Sequence, residues 1–150
     1  MRALIQRVSQ SKVTVENKTC GEISKGLLVL LGIEDSDTQD DVDWLCRKIS
    51  QLRIFDDTNG VMNLSLQDVQ GQTLIISQFT LHASTKKGNR PSYIRAASPE
   101  FAKKMYEDFV ANFKKYVKTK VATGIFGAMM KVELINDGPV TIFIDTKNKE

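Results

Sequence analysis

The sequence predicts an α/β (α+β) fold: one domain over residues 1–150, with a mixed or mainly antiparallel β-sheet and two long α-helices. Its 150 residues suit one domain that buries about two-thirds of the surface of the extended chain. Apolar residues make up 41% and charged residues 26%, which is typical of a folded globular chain and not of a disordered one. Strand-like apolar runs bounded by turns accompany two stretches with helical spacing, a combination that favours helices packed on a sheet.

The N-terminal third of the chain reads as three strands and one helix. Ala3–Val8 and Lys12–Glu16 are predicted strands, and the second alternates apolar and polar residues. Leu27–Ile33 is a continuous apolar run after Gly26, which suits a strand buried on both faces. A helix is predicted to open at Asp37-Thr38. Its apolar positions follow helical spacing and are Val42, Leu45, Cys46, Ile49 and Leu52.

The middle of the chain predicts a turn at Asp57–Gly60, a buried strand at Thr73–Phe79 and an exposed basic loop over residues 82–97. Ser98-Pro99-Glu100 is the expected start of the second helix, with an N-cap serine, a proline in the first position and an acid in the first turn. The buried stripe of this helix recurs every four residues and consists of Phe101, Met105, Phe109 and Phe113.

The C-terminal part predicts two further strands joined by a turn. Met130, Val132 and Leu134 alternate with charged residues and read as a strand. Asn136-Asp137-Gly138 is the predicted turn, and Val140–Ile144 is the predicted last strand. Strands in hairpins together with two long helices complete the expected mixed sheet.

Composition also excludes several classes of protein. The longest apolar run, Leu27–Leu31, is far shorter than the roughly 20 residues of a membrane span, so no membrane partner is expected. The first residues lack the apolar segment of a signal peptide. Cys20 and Cys46 lack metal-ligand spacing, and His82 is the single histidine, so no metal site is expected. The cysteines read as cytosolic thiols, which indicates a cytoplasmic protein. No nucleotide-binding or cofactor motif is present.

Charge is unevenly distributed along the chain although the net charge is only +3. Six of the ten residues from Glu34 to Asp43 are acidic, whereas residues 69–99 and 109–132 contain no acid. The basic residues of the first acid-free stretch are Lys86, Lys87, Arg90 and Arg95. The second contains several lysines within Lys114–Lys120. This separation predicts a polyanion-binding face, and a merely solvated basic surface is the alternative interpretation.

Conventional catalytic side chains are scarce. His82 follows the end of an apolar strand and could be a general base, or an imidazole without a chemical role. Thr80 could be a nucleophile only beside a base, and the sequence shows none. An enzyme with this sequence would therefore depend on positioning, on backbone dipoles and on groups of the substrate.

Two segments together resemble a known family. Ser77-Gln78-Phe79-Thr80-Leu81 places polar side chains at a strand end, and Asn136-Asp137-Gly138-Pro139-Val140-Thr141 places a proline directly after a glycine. This pair is similar to the paired signature of the D-aminoacyl-tRNA deacylases, also called D-tyrosyl-tRNA deacylases. Further segments extend the resemblance over nearly the whole chain: Ala3–Val8, Gly26–Gly32, Arg53-Ile54-Phe55, Arg90-Pro91-Ser92 and Gly124–Met130. His82 departs from the small residue usual in the family, which counts against it as a catalyst.

The resemblance implies a twofold homodimer without metal or cofactor that cleaves the ester of D-aminoacyl-tRNA and leaves L-aminoacyl-tRNA intact. Its partner is tRNA and not DNA. Gly138 and Pro139 of one subunit would enter the pocket of the other and exclude an L side chain. Such exclusion cannot reject glycine, so mischarged glycyl-tRNA is an expected second substrate.

The resemblance also implies roles for individual residues. Ser77, Gln78, Phe79 and Thr80 form the catalytic segment, in which backbone N–H groups near Phe79 and Thr80 would polarise the ester carbonyl. Water assisted by the ribose 2′-hydroxyl is one attacking group, and Thr80 as a covalent nucleophile is the other. Phe126 would contact the adenine. The basic stretches would contact acceptor-stem phosphates. An RNA-binding module without turnover and a hydrolase of another small ester remain the alternatives.

Overall fold

The computed structural model describes all 150 residues. The strands and helices, in chain order, are β1 (Arg2–Val15), β2 (Lys18–Ile23), β3 (Gly26–Gly32), α1 (Gln39–Gln51), β4 (Phe55–Asp56), β5 (Met62–Leu64), β6 (Gln72–Ser77), α2 (Pro99–Tyr116), β7 (Val121–Thr123) and β8 (Lys131–Asp145). One turn of 3₁₀ helix, the Phe79–His82 turn, follows β6. Neither long helix is apolar enough to cross a membrane.

Six strands form one mixed sheet, and β4 and β5 form a separate hairpin. The order along the sheet is β2-β1-β3-β6-β7, and β8 pairs with the other edge of β1. β1 runs antiparallel to β2, β3 and β8, whereas the β3–β6 and β6–β7 pairs are parallel. The predicted fold class, a mostly antiparallel mixed sheet with two long helices, is therefore confirmed.

The first two predicted strands are in fact one strand. β1 continues through Ser9 and Gln10 because it passes from β3, which pairs with residues 2–8, to β2, which pairs with residues 11–15. Pairing with β8 supports β1 over nearly its whole length. The β1–β2 connection consists of Glu16 and Asn17, both at positive φ, as a two-residue turn with the twist of a hairpin requires.

The prediction of a turn at Asn136-Asp137-Gly138 is also wrong, because β8 runs without a break through these three residues. The β1 partner changes from Gln6 opposite Thr141 to Val8 opposite Asn136, so the residues between those two on β8 bulge out of the ladder. Asn136 closes this bulge with its own side chain. Its Oδ1 accepts the Val140 N–H at 2.8 Å, and its Nδ2 donates to Thr141 Oγ1 at 3.0 Å.

Both predicted helices are confirmed and cover one face of the sheet. α1 begins after Thr38, whose side chain forms a capping box with Asp41, and α2 begins after Ser98 with a proline in its first turn. The core between helices and sheet includes Phe109 and Phe113, both fully buried. Cys46 belongs to the same core, where burial raises the pKa of its thiol to about 12 and so keeps the thiol protonated and unreactive.

Candidate functional site

A cavity of about 600 Å³ opens where β3 and β6 end. The predicted residues Ser77, Gln78, Phe79 and Phe126 all line it, so the structure brings four of them together. The cavity wall is mostly apolar and contains no Asp, Glu, His, Lys, Arg or Cys side chain. The chain also contains no group of three acidic, histidine or cysteine side chains able to hold a metal ion. The polar groups that this wall offers to a bound molecule are backbone amides and carbonyls and the side chains of Ser77, Gln78 and Tyr93.

Strand pairing places the Ser77–Phe79 segment at the cavity. Leu31 lies opposite Ser77 in the parallel β3–β6 ladder, and the Gln78 N–H donates to the Leu31 carbonyl at 2.7 Å. The predicted strand Thr73–Phe79 therefore ends two residues early, at Ser77, and the chain enters the Phe79–His82 turn. Gly32 allows this turn to pack on the end of β3, since a Cβ there would lie 3.0 Å from the Gln78 carbonyl oxygen.

Aromatic rings form two walls of the cavity. Phe79 is 57% exposed, and its ring meets that of Tyr93 edge to face, with 5.0 Å between centroids. Phe126 lies 5.8 Å from the ring of Tyr106, whose hydroxyl donates to the Ile75 carbonyl at 2.7 Å. Burial raises the pKa of Tyr106, so it acts there as a neutral hydrogen-bond donor. The exposed ring of Phe79 and the half-buried ring of Phe126 can each stack on a nucleic acid base.

Thr80 does not line the cavity wall. The hydroxyl Oγ1 of Thr80 accepts a hydrogen bond from the amide Nε2 of Gln78 at 2.5 Å. A nucleophilic hydroxyl must instead pass its proton to a base. The environment of Thr80 thus suits a hydroxyl that supports the shape of the segment better than one that attacks a substrate.

His82 is completely buried beneath the segment and is not part of the cavity wall. Neither ring nitrogen makes a hydrogen bond of normal geometry. Burial lowers the pKa of His82, opposed only in part by the nearby Gly32 backbone. The interpretation of His82 as an imidazole without a catalytic role fits this position, since a general base must reach the proton that it removes.

The buried imidazole predicts a pH dependence of stability. Because the pKa of His82 is lower in the folded state than in the unfolded chain, the unfolded chain binds more protons at mildly acidic pH. The contribution of His82 to the free energy of unfolding is therefore full above about pH 6.5 and falls as the pH drops below that value. Thermal unfolding of the protein and of His82→Leu between pH 7.5 and 5.5 tests this. We expect a shallower decline for the variant, and equal slopes would contradict the prediction.

Gly138 and Pro139 lie on the exposed β8 bulge and do not line the cavity of their own chain. The peptide bond between them is cis, and Gly138 has a φ of 139°. Arg7 holds the base of the bulge. Its Nε donates to the Asp137 carbonyl at 2.8 Å, and its Nη1 donates to the Ile54 carbonyl at 2.7 Å.

Arg7 and Asn136 hold the bulge that carries Gly138 and Pro139, and the sequence reasoning assigned neither of them a role. Arg7 is only 6% exposed although it is charged. A signal for Arg7 was available, because it occupies the same face of β1 as the buried Ala3 and Ile5. A charged residue at a core-facing position of a strand requires buried hydrogen-bond partners, which indicates a specific structural role.

The basic loop adjoins the cavity. Ser84 and Ser92 join through two backbone hydrogen bonds of 2.8 and 2.9 Å, and Tyr93, directly after the bridge, lines the cavity wall. Lys86, Lys87, Arg90 and Arg95 are all exposed, and Arg95 also lies 3.9 Å from the Glu34 carboxylate. Lys114 and Lys115 lie in the last turn of α2, about 22 Å along the helix from Pro99 at the cavity, and Lys118 and Lys120 follow the helix. The structure therefore groups only the first basic stretch with the cavity.

Comparison with known proteins gives a consistent result. The family model described as D-Tyr-tRNA(Tyr) deacylase matches residues 4–145. A D-aminoacyl-tRNA deacylase of Flavobacterium johnsoniae is 64% identical over 150 residues, which is 100% of both chains. The solved structure of a c-Myc DNA unwinding element binding protein superposes with a TM-score of 0.93 at 39% identity and covers 97% of this chain and 99% of that one. A probable eukaryotic D-amino acid tRNA deacylase has the same fold, with a TM-score of 0.81 at 17% identity over 95% of this chain and 97% of its own.

Proposed function

The chain belongs to the D-Tyr-tRNA(Tyr) deacylase family and is a D-aminoacyl-tRNA deacylase, and on that premise we propose how its residues 1–150 release a D-amino acid from tRNA. The observation that carries the proposal is the cavity at the end of β6, which combines the Ser77–Phe79 segment with aromatic side chains and contains no carboxylate, imidazole, amine or thiol. Such a site requires the substrate to supply part of the chemistry. The proposed place of action is the cytoplasm.

The proposed reaction is a hydrolysis assisted by the substrate. The oxygen of water attacks the ester carbonyl carbon, the bond from that carbon to the ribose 3′-oxygen breaks, and the 3′-oxygen gains a proton. The 2′-hydroxyl of the terminal ribose relays the proton, which makes the substrate RNA and not DNA. The first N–H groups of a helical turn have no acceptor within it, so the amides of Phe79 and Thr80 can donate to the developing oxyanion. No cofactor takes part.

The side chains around this centre have supporting roles in the proposal. Ser77 and Gln78 hold the geometry of the segment, the latter through its hydrogen bond to Thr80. Phe126 contacts the adenine of the terminal nucleotide, for which its position on the cavity wall is the support.

Selection between D- and L-substrates is proposed to need a second subunit. Gly138 and Pro139 are exposed and do not line the cavity of their own chain, which supports a role in the cavity of a second copy in a twofold homodimer. Exposed apolar side chains near the cavity and on β8 support such an interface: Met129, Ile135 and Phe143. Main-chain carbonyls of the bulge would accept hydrogen bonds from the substrate α-ammonium and leave no room for an L side chain.

Side-by-side deacylation of D-aminoacyl-, L-aminoacyl- and glycyl-tRNA tests the proposed function. We expect release of the D-amino acid and of glycine and no release of the L-amino acid. Absence of D-specific release would contradict the proposal. Release of both the D- and the L-amino acid would refute selection by steric exclusion of the L side chain. If glycyl-tRNA were not hydrolysed, the pocket would have to recognise a D side chain, and exclusion of the L side chain would not explain selection. Sedimentation of the protein, with a dimer expected and a monomer contradicting the shared pocket, completes the test.

Binding of tRNA is expected to weaken as the salt concentration rises. Lys86, Lys87 and Arg90 are proposed to neutralise acceptor-stem phosphates, with Arg95 at the base of the same loop. Replacing Lys86, Lys87 and Arg90 by Ala should reduce the slope of log affinity against log salt concentration by about 2 to 3. Each lost phosphate contact lowers that slope by about 0.7 to 0.9. The matched control removes three exposed charges at the far end of α2, by Lys114→Ala, Lys115→Ala and Lys118→Ala. Affinity that is indifferent to salt, or an equal effect of the control, would contradict this assignment.

A further inference from the structure

Arg2 joins the ends of two strands to the turn that follows β6. It lies between Gly32 of β3 and Asp145 of β8 in the sheet. Its Nη1 donates to the Leu81 carbonyl at 2.9 Å, and its Nε donates to Asp145 Oδ2 at 2.8 Å. The guanidinium also lies 6.0 Å from the centre of the Phe143 ring. With the side chain only 17% exposed, both hydrogen bonds are largely shielded from water.

The Phe79–His82 turn has few other polar contacts. Arg2 is the one residue beyond residues 77–82 whose side chain hydrogen-bonds to the turn. The bond from Gln78 to Thr80 stays within the segment, and the His82 ring makes none. The Leu81 carbonyl lies at the C-terminal end of the turn, where carbonyls have no donor within the helix and where a cation is favourable. Apart from the backbone hydrogen bonds of the turn itself, from Leu81 N–H to the Gln78 carbonyl and from Ala83 N–H to the Thr80 carbonyl, the direction of this end depends on Arg2 and on packing.

Asp145 keeps the guanidinium in place. Burial alone would raise the pKa of Asp145, but hydrogen bonds from the Lys147 backbone and from Arg2 outweigh it and lower that pKa below its ordinary value. The carboxylate is thus charged at neutral pH and forms a charge-assisted hydrogen bond with Arg2. A planar guanidinium with donors at fixed angles can hold Asp145 and Leu81 at once, which a single ammonium group does less well.

We propose that Arg2 is a positioning residue for deacylation: it anchors the Leu81 end of the Phe79–His82 turn and so fixes the direction of the Phe79 and Thr80 amides at the other end. This inference rests on the proposed role of those amides in polarising the ester carbonyl. A donor contributes to catalysis only where the oxyanion forms, so a small rotation of the turn lowers turnover. Substrate affinity changes little, because Arg2 does not line the cavity.

Three variants and one control test this proposal in the full-length protein. For Arg2→Met we expect kcat to fall about 10- to 100-fold, since a misplacement near 1 Å costs about that much, with KM changed less than about threefold. Hydrogen exchange of the amides of residues 79–82 should be at least about tenfold faster, because the turn opens more readily. Arg2→Lys should recover part of kcat and of the protection, since an ammonium can still donate to the Leu81 carbonyl. The control Lys12→Met removes an exposed β1–β8 ion pair with Glu133, 3.4 Å long, and should change neither quantity.

The third variant, Asp145→Asn, keeps Arg2 but loosens its guanidinium, and it serves where Arg2→Met fails to fold. A fall in kcat with faster exchange of residues 79–82 supports the proposal. Unchanged kcat and exchange in Asp145→Asn and in any folded Arg2→Met would overturn it, as would an effect equal to that of Lys12→Met. These outcomes are distinguishable from failure of the proposed function. If the proposed function is wrong, the wild-type protein itself releases no D-amino acid. The hydrogen-exchange measurement then still reports whether Arg2 anchors the turn.

Discussion

A D-aminoacyl-tRNA whose terminal ribose lacks the 2′-hydroxyl is expected to be hydrolysed about 10² to 10⁴-fold more slowly than the normal substrate, the usual contribution of one proton-transfer group. The reason is the composition of the cavity wall, which offers no carboxylate, imidazole, amine or thiol to move a proton. The measurement is the single-turnover rate with tRNA that ends in 2′-deoxyadenosine, beside a binding measurement with the same tRNA. Affinity should change little, because one hydroxyl is a small part of the contact.

Thr80→Ala is the matched comparison for that experiment. If water is the attacking group, this variant keeps activity within about tenfold, since it loses one hydrogen bond with Gln78 and no reacting atom. Loss of several orders of magnitude with intact binding would establish Thr80 as a covalent nucleophile and overturn the assisted-water mechanism. Full activity on the 2′-deoxy substrate would show that the 2′-hydroxyl is not needed and would also refute the assisted-water mechanism.

Gly138→Ala is expected to lower the preference for D- over L-aminoacyl-tRNA by about 10- to 100-fold, the effect of a displacement near 1 Å at a reacting centre. A Cβ on Gly138 would lie 2.7 Å from Val140 Cγ2 and 3.2 Å from Arg7 Nη2, and its φ of 139° is one that L residues rarely adopt. The bulge must therefore shift, and its carbonyls with it. The measurement is kcat/KM for both enantiomers.

Gly60→Ala provides the control for backbone strain. Gly60 also has a positive φ, of 73°, but a Cβ there meets nothing within 4 Å, and the residue lies in the turn of the β4–β5 hairpin. Placing an L residue in such a conformation costs about 1–2 kcal/mol of folding free energy. Gly60→Ala should show this loss with an unchanged preference for D-substrates. If Gly138→Ala also kept the full preference, the role proposed for the bulge would be wrong.

Local rules predicted both helices and the strands β3 and β6, whereas the shorter strands β2, β4, β5 and β7 were not predicted. α1 and α2 have caps and apolar spacing that act within one or two turns of helix, and each begins within two residues of its predicted start. The apolar run after Gly26 is a strand with buried neighbours on both sides, as its composition indicates. The structure places Ser77, Gln78, Phe79 and Phe126 around one cavity, and the roles that the resemblance implied for them stay predictions.

The sequence by itself thus determined the helices, the identity of the buried strands and the family, because capping, periodicity and ordered motifs depend on residues that are close along the chain. Only the tertiary structure decided that β1 and β8 continue through their polar and glycine-containing centres, since a ladder partner stabilises extended residues that local preference would turn. It also decided the partners of Arg2 and Arg7, which lie up to 143 residues away along the chain. A buried guanidinium takes whichever acceptors the packed strands bring to it, and no pattern of neighbouring residues specifies them.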